Sequence, residues 1–435
     1  MNPVTRKHLL LVLVAALAIV EVRQCPAQEP AWSIAAVPAQ VGGEDVTGPY
    51  EADASWPKPI AQLPDTKGWT WGAAQSIFAE SPDRVFGLMR GLLPDMKAPP
   101  FRLLPAVGPG LSFPIGRLPW RDATEASPPS AAGPGNPGEI GVSEWLKKGY
   151  QFDRDAKWSH CIVVFNRKGD IVEAWTQWDS LLQRPHFIGI SPYDPERRVW
   201  VIDDQKHVIH IFSNDGKKLI RTLGEIGKAG ADQKHFNRPT KVDWLPDGTF
   251  FVSDGYNGSR VVKFDVTGKY LTEWGKPGKR GGETRPGYFH NVHTLAVDPQ
   301  SRRVFVSDRS NRRVQVFDEN GGYLYEWSFG SFPVDIHDFL ITADGYLWAA
   351  DRGTNKILKY DLKGNLLYSW GTWGDFAGGF WGVHGMSVDT EGNFYVAETD
   401  NGRFQRFVPR PNARKELLVG LPVRSAWGVP AAGKN

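Results

Sequence analysis

Four histidines stand in short segments of the same kind and could together bind one metal ion. The segments read Arg-Pro-His-Phe, Asn-Val-His-Thr, Asp-Ile-His-Asp and Gly-Val-His-Gly, with the histidines His186, His293, His337 and His384. Unprotonated imidazoles that are brought close together need a positive charge between them, and three histidines with one open position are the arrangement of a catalytic zinc ion. The segments therefore predict a zinc site if the fold brings them together.

An internal repeat indicates which fold would do so. Each repeat has an apolar strand, a turn, a second strand that ends in a step of the Val-Ser-Asp type, a polar turn, a third strand, and a Gly-containing hairpin into a fourth. Clear copies occupy residues 242–274, 295–327, 340–370 and 386–407, and a weaker one occupies residues 188–212. Four short antiparallel strands in about 44 to 54 residues form one blade of a β-propeller.

A sixth blade is interrupted by a long insertion. Its inner strands are predicted at residues 76–79 and 85–88, and its outer strands at residues 161–165 and 171–175. Between them, residues 92–141 contain 18 Pro or Gly in 50 positions, which is too many for regular strands or helices. The insertion, taken as residues 92–158, is either a functional lid or a solvated loop. The sequence thus predicts an all-β, six-bladed β-propeller.

The spacing of the histidines distinguishes among them. In a propeller the first strand of each blade lines the central channel, so that residues at one repeat position converge on the axis. His186, His293 and His384 are separated by 107 and 91 residues, which is two blades each. Three alternate blades of six stand about 120 degrees apart. We favour these three as zinc ligands, with His337, from the blade between, supporting them or facing the substrate.

Further segments next to these histidines carry a resemblance. They are Phe-Asn-Arg-Pro-Thr-Lys-Val from residue 236, Asp-Gly-Tyr-Asn-Gly-Ser-Arg from residue 254, and Pro-Gly-Tyr-Phe from residue 286. In them the sequence resembles the NHL-repeat propellers and, among these, the peptidyl-alpha-hydroxyglycine alpha-amidating lyases. The resemblance implies that zinc on three histidines activates the hydroxyl of a C-terminal hydroxyglycine. A tyrosine acts as base and an arginine positions it, giving a peptide amide and glyoxylate.

The resemblance also implies roles for individual residues. The matching positions are His186, His293 and His384 for the metal, Tyr256 for the base, and Arg90 and Arg309 for the arginines. A phenol has an ordinary pKa of about 10, and nearby positive charges would favour its phenolate form. Each catalytic position has a structural alternative: Tyr256 as a packing residue, Arg90 as a cap on a channel carbonyl, and Arg309 as a surface residue of a turn.

The chain departs from the family at three points. Gly382 stands where the family has a methionine, and Gly385 where it has an aspartate linked to a structural calcium ion. Asp338 follows His337 instead, which leaves open both the third zinc ligand, His337 or His384, and the presence of calcium. The chain also shows no copper monooxygenase domain, so that the substrate, a small molecule or a peptide, stays open.

Composition indicates an exported globular protein. Two basic residues, twelve apolar residues at 9–20 and Cys-Pro-Ala at 25–27 form a secretory signal pattern, so that we expect a secreted or periplasmic location. The predicted division is a signal peptide (1–27), a Pro-rich tail (28–59), the propeller (60–425) and a C-terminal tail (426–435). Without the leader, 51 − 3 = 48 basic and 48 − 1 = 47 acidic residues remain. This near-neutral balance argues against nucleic acid as a partner, and no later apolar run is long enough to span a membrane.

Two other functions fit the same repeat. An NHL propeller can bind a protein, peptide or glycan without catalysis, in which case the channel histidines would bind no metal. A calcium-dependent lactonase-type propeller needs Glu, Asn and Asp at the axis, whereas the aligned positions here are His and, at Thr240, Thr. The second alternative is therefore disfavoured. The sequence does not indicate an oligomeric state.

Overall fold

Six antiparallel sheets of four strands each surround a central channel. The structure, a computed structural model, describes residues 45–95 and 137–423. The predicted signal peptide, residues 28–44 of the predicted tail, residues 96–136 of the insertion and the C-terminal tail lie outside the described residues.

The strands follow the repeat. The innermost strands are Ala74–Ser81, Pro185–Ile190, Pro239–Trp244, Val292–Asp298, Ile336–Ile341 and Val383–Val388, in blades 1 to 6. The second strands are Arg84–Met89, Val199–Asp203, Phe250–Asp254, Arg303–Asp308, Leu347–Asp351 and Phe394–Glu398. The third strands are Ile162–Phe165, Val208–Phe212, Arg260–Phe264, Arg313–Phe317, Lys356–Tyr360 and Arg403–Pro409. The outermost strands are Ile171–Ala174, Leu219–Leu223, Tyr270–Trp274, Tyr323–Ser328, Leu366–Trp370 and, in blade 6, Tyr50–Ala52.

The innermost strands contact one another in sequence order, and the strand of blade 6 contacts that of blade 1. This closed ring confirms the predicted six-bladed propeller. Blade 1 is interrupted where the sequence indicates. Its second and third strands pair across the insertion, with Val85 opposite Phe165.

The acidic residue at the end of the second strand explains the most regular feature of the repeat. In blade 3, the Asp254 carboxylate accepts hydrogen bonds from the backbone N–H of Asn237 (2.7 Å) and from Arg260 Nε (2.9 Å). In blade 4, Asp308 makes the equivalent bond to Arg313 Nε (2.9 Å). Each aspartate thus ties the loop before the innermost strand to the third strand. Because that loop leads into the channel position, the motif fixes the backbone that carries the histidines.

The outermost strand of blade 6 comes from the N-terminal part of the chain. Tyr50 pairs with Pro409, and its ring is fully buried against Trp370 and Phe407, with ring centres 5.7 and 6.5 Å apart. This strand lies in the stretch predicted as a tail, residues 28–59, so the propeller begins earlier than residue 60. Three residues are too few to show the alternation that identifies a strand in a sequence.

Short elements complete the described chain. The described ends of the insertion include the strand Leu92–Pro94, which pairs with Trp69–Trp71, and the helices Pro137–Ile140 and Val142–Lys147. The sequence predicts irregular structure there, whereas the structure has these short helices among the described residues. The pair Lys276–Pro277 and Tyr288–Phe289 is parallel. Short 3-10 helices occupy Ile60–Gln62, Pro64–Thr66, Thr176–Leu181, Arg309–Asn311 and Lys415–Leu417. Within residues 45–95 and 137–423, the helices are all too short or too polar to cross a bilayer.

Candidate metal centre

Three histidines from alternate blades meet on the channel axis. His186, His293 and His384 stand near the start of the innermost strands of blades 2, 4 and 6, and all three are buried. One ring nitrogen of each lies within 4.8 Å of the others. The imidazole ring centres are 4.9 to 5.2 Å apart. The structure therefore brings together the three residues that the two-blade spacing singles out.

The neighbouring blades fix which ring nitrogen of each histidine carries hydrogen. The Nδ1 atom of each ring lies at hydrogen-bond distance from a backbone carbonyl of the next blade, to which only an N–H can donate. The pairs are His186 with Thr240 (2.9 Å), His293 with His337 (2.9 Å) and His384 with Gln75 (2.7 Å). In the neutral ring this leaves Nε2 with a free electron pair, and such support of the second nitrogen is typical of metal-binding histidines.

Burial keeps these imidazoles neutral. It lowers the pKa of His186 and of His293 well below the ordinary value, and lowers that of His384 to about 3. The charge of Arg90 adds to the lowering at His186 and His384, and that of Arg309 at His293. Neutral rings with free electron pairs are the form that binds a metal ion.

His337 lies beside this group but is bonded differently. Its ring centre is 4.5 Å from that of His293 and 4.8 Å from that of His384. Its Nε2 is 2.9 Å from Asp335 Oδ2, so this nitrogen donates to a carboxylate. The buried Nδ1 has no hydrogen-bond partner among the described residues. The structure thus groups His384, rather than His337, with His186 and His293.

The Tyr256 hydroxyl lies between two of the three histidines. Its oxygen is 3.1 Å from His186 Nε2 and 3.0 Å from His293 Nε2. The single hydroxyl hydrogen of Tyr256 can be donated to only one of the two Nε2 atoms. The electron pair of the other Nε2 then faces the hydroxyl oxygen with no hydrogen between them. A cation among the three Nε2 atoms would remove this repulsion. Three neutral imidazoles with their Nε2 atoms turned inward could therefore hold a metal ion.

Arginines surround the Tyr256 ring. The guanidinium carbons of Arg238, Arg184 and Arg309 lie 4.4, 5.4 and 5.7 Å from the ring centre. Burial raises the pKa of Tyr256 above its ordinary value, and the charges of Arg309, Arg184 and Arg90 oppose the rise without cancelling it. The arginines alone therefore leave the phenol protonated, and a metal ion would have to favour the phenolate further.

Arg90 and Arg309 occupy different places. Arg90 is almost completely buried, and its Nε donates to the carbonyl of Pro185 (3.2 Å). Gly138, near the end of the insertion, packs against it so closely that a Cβ there would lie 2.4 Å from Arg90 Cβ. Arg309 pairs with Asp335 (3.1 Å), the partner of His337. Arg90 is thus bonded to a channel carbonyl, and Arg309 is linked through Asp335 to His337.

Four charged residues at the site were not predicted from the sequence, namely Arg184, Arg238, Arg352 and Asp335. Arg184 pairs with Asp204 (2.9 Å), Arg238 covers Tyr256, and Arg352 lies 3.9 Å from Asp335. The repeat contains the signal for the arginines. Arg184 and Arg238 both begin an Arg-Pro step two residues before the channel position, and Arg352 follows the end of its second strand as Arg309 does. Asp335 has no such signal in the sequence, because its place at the site follows from its contacts with Arg309 and Arg352.

Part of this sequence is similar to several other proteins. The peptidyl-glycine alpha-amidating monooxygenase of Mus musculus is 36% identical over 196 residues, which are 44% of this chain and 19% of the mouse protein. The probable peptidyl-alpha-hydroxyglycine alpha-amidating lyase pgal-1 of Caenorhabditis elegans is 32% identical over 156 residues, 36% of this chain and 42% of the worm protein. The NHL repeat-containing protein 3 of Homo sapiens is 30% identical over 206 residues, 45% of this chain and 56% of the human protein.

The chain is homologous to amidating lyases and NHL repeat proteins. It spans less than a fifth of the mouse monooxygenase and about half of the worm and human relatives. No protein-family model matches it. These homologues agree with the resemblance found in the motifs around Tyr256 and His293.

Proposed function

We propose that this chain is a zinc-dependent lyase that cleaves a peptidyl-α-hydroxyglycine, or a small molecule with the same group, into an amide and glyoxylate. The observation that carries the proposal is the set of three neutral histidines on the channel axis, with the Tyr256 hydroxyl between the Nε2 atoms of His186 and His293. The name of the worm relative, an amidating lyase, supports the choice of reaction.

The residues of the chain would divide the reaction as follows. Bound zinc would act as a Lewis acid that lowers the pKa of the substrate hydroxyl. Tyr256, as phenolate, takes the proton of that hydroxyl, and Arg309 and Arg184 favour the phenolate charge. The oxygen electron pair then forms the C=O bond of glyoxylate while the C–N bond breaks. The departing amide nitrogen receives a proton from Tyr256, which balances the reaction.

The charge around the site suits an anionic substrate. Five arginines lie around it against three aspartates, which leaves a positive excess. They are Arg90, Arg184, Arg238, Arg309 and Arg352 against Asp204, Asp335 and Asp400. A C-terminal hydroxyglycine carries a carboxylate beside its hydroxyl, so this excess favours the acid over an ester or amide of the same compound.

Export completes the proposal. Residues 1–27 would be removed as a signal peptide, and the enzyme would act outside the cytoplasm or in the periplasm. The support is the basic and apolar pattern followed by Cys-Pro-Ala. N-terminal sequencing of the protein recovered from the medium or periplasm tests it, and a chain that still begins with Met1 would contradict it.

The decisive experiment is elemental analysis with a glyoxylate assay. We expect about one zinc per chain, lost when His186, His293 and His384 are all replaced by alanine, and glyoxylate release from an N-acyl-α-hydroxyglycine. His210→Ala is the control, because His210 is equally buried but lies on the third strand of blade 2, away from the axis. A folded wild-type protein that takes up no zinc would reject the lyase and favour an NHL propeller that binds its ligand without catalysis.

A further inference from the structure

A buried lysine and aspartate lie next to the histidines in the channel. Lys241 and Asp338 line the same small cavity as His186, His293 and His384. The Lys241 ammonium comes from the innermost strand of blade 3 and donates to the Asp338 carboxylate and to the carbonyl of Phe339, both in blade 5. Both side chains are 12% exposed. The pair thus crosses the channel and skips the blade between.

Asp338 extends this connection to further blades. Its Oδ2 accepts the backbone N–H of Met386 in blade 6 (2.9 Å), and its Oδ1 accepts that of Phe339 (2.9 Å). Thr294 Oγ1, in blade 4, lies 3.4 Å from Oδ1. One carboxylate with one ammonium therefore links the innermost strands of blades 3, 4, 5 and 6. A carboxylate buried in this way is costly unless a positive charge accompanies it.

The same region does not fit the calcium ion that the family resemblance implies. Calcium requires six to eight oxygen ligands, carboxylates among them. Gly385 has no side chain, and a Cβ there would lie 2.9 Å from Ser76 Cα and 3.2 Å from the Gln75 carbonyl oxygen, so a carboxylate cannot be placed there without moving the backbone. Both oxygens of Asp338 already have donors, and an ammonium group stands against one of them.

We propose that Lys241 supplies the fixed positive charge of this channel, so that the propeller is held together there without calcium. The other carboxyl group nearby, Asp243, accepts the backbone N–H groups of Trp244 (2.9 Å) and Val297 (2.8 Å) and is satisfied without a metal ion. Burial raises the pKa of Asp243 to about 6, which reduces its charge near that pH. The proposal holds whether or not the chain is a lyase.

The test is thermal unfolding with and without calcium, on protein stripped of metal and reloaded with zinc. When calcium is added, wild type should bind none that survives desalting and should show no shift of Tm. Lys241→Met should lower Tm by about 5 °C, since breaking a buried ion pair leaves a buried charge alone. Lys263→Met is the matched control, because Lys263 is also buried and ion-paired, but its partner Glu319 keeps Arg302. The Tm of Lys263→Met should therefore fall by less than that of Lys241→Met.

A second variant tests whether the ammonium stands at a cation position. Lys241→Asp adds a third carboxylate beside Asp338 and Asp243, and calcium should then raise the Tm of this variant alone. Three results would overturn the proposal: about one calcium per wild-type chain, a Lys241→Met variant no less stable than Lys263→Met, or a folded Lys241→Asp variant that does not respond to calcium. If Lys241→Asp does not fold, the first two measurements still decide.

Discussion

Replacing His384 or His337 by alanine separates the two candidates for the third zinc ligand. The two residues form a matched pair, because each is the second residue of an innermost strand, in neighbouring blades, and they are 6% and 7% exposed. Both substitutions remove the same atoms from the same depth. The cost in packing should therefore be similar, and a difference in zinc affinity reports on ligation.

The expected difference follows from the contacts. Structural zinc sites with four ligands bind with about 10–16 kcal/mol, or about 3 kcal/mol per ligand, so losing His384 should weaken zinc binding roughly a hundredfold. Losing His337 should cost less than about tenfold. His337 supports His293 through its backbone carbonyl, which alanine retains.

The assay is competition for zinc with a chromophoric chelator, after near-ultraviolet circular dichroism has shown that both variants are folded. The zinc affinity of His337→Ala should stay close to that of wild type, whereas that of His384→Ala should be much lower. Equal losses of zinc affinity, or a larger loss for His337→Ala, would refute the assignment of His384 as the third ligand from the hydrogen bonds of its ring nitrogens.

Substitutions at four other positions give separate tests. Tyr256→Phe should lower kcat by about 10²–10⁴-fold with zinc content unchanged, measured by glyoxylate release, because it removes only the base. Arg309→Met should lower kcat/KM by roughly tenfold or more, and Arg309→Lys should restore part of it, since a charge is kept near Tyr256. Tyr50→Ala should lower the free energy of unfolding in urea by about 3–5 kcal/mol, because it empties a fully buried site. Gly385→Ala should cost about 1–3 kcal/mol in the same assay, since the new Cβ meets the backbone of Ser76.

The repeat made the fold and the histidine positions predictable from the sequence. Blades 2 to 6 repeat an acidic residue at the end of the second strand. In blade 3 that residue, Asp254, holds the loop that leads to the channel. A repeated position therefore becomes a position in space. This allowed His186, His293 and His384 to be placed together although more than 90 residues separate each from the next.

Features outside the repeat were not predictable in this way. The pairing of Lys241 with Asp338 depends on side-chain length and direction across the channel, which neither residue's own strand reveals. Which ring nitrogen of each histidine keeps its electron pair depends on a backbone carbonyl of another blade, such as that of Gln75. Every residue has such a carbonyl, so the sequence does not show which one accepts this hydrogen bond. The strand Tyr50–Ala52 completes a blade whose other three strands begin only at Val383, so the repeat in that part of the sequence does not indicate it.

The closure of the ring by this N-terminal strand has a consequence for folding. Tyr50 pairs with Pro409, so almost the whole described chain lies between two partners of one sheet. Contacts between residues so distant in sequence are slow to form, because loop-closure entropy is lost before they contribute. During synthesis, blades 2 to 5 have all their strands before blade 6 does, and the ring stays open until residue 409 has emerged. Completion of the propeller is therefore the last step, and it joins the two ends of the described chain.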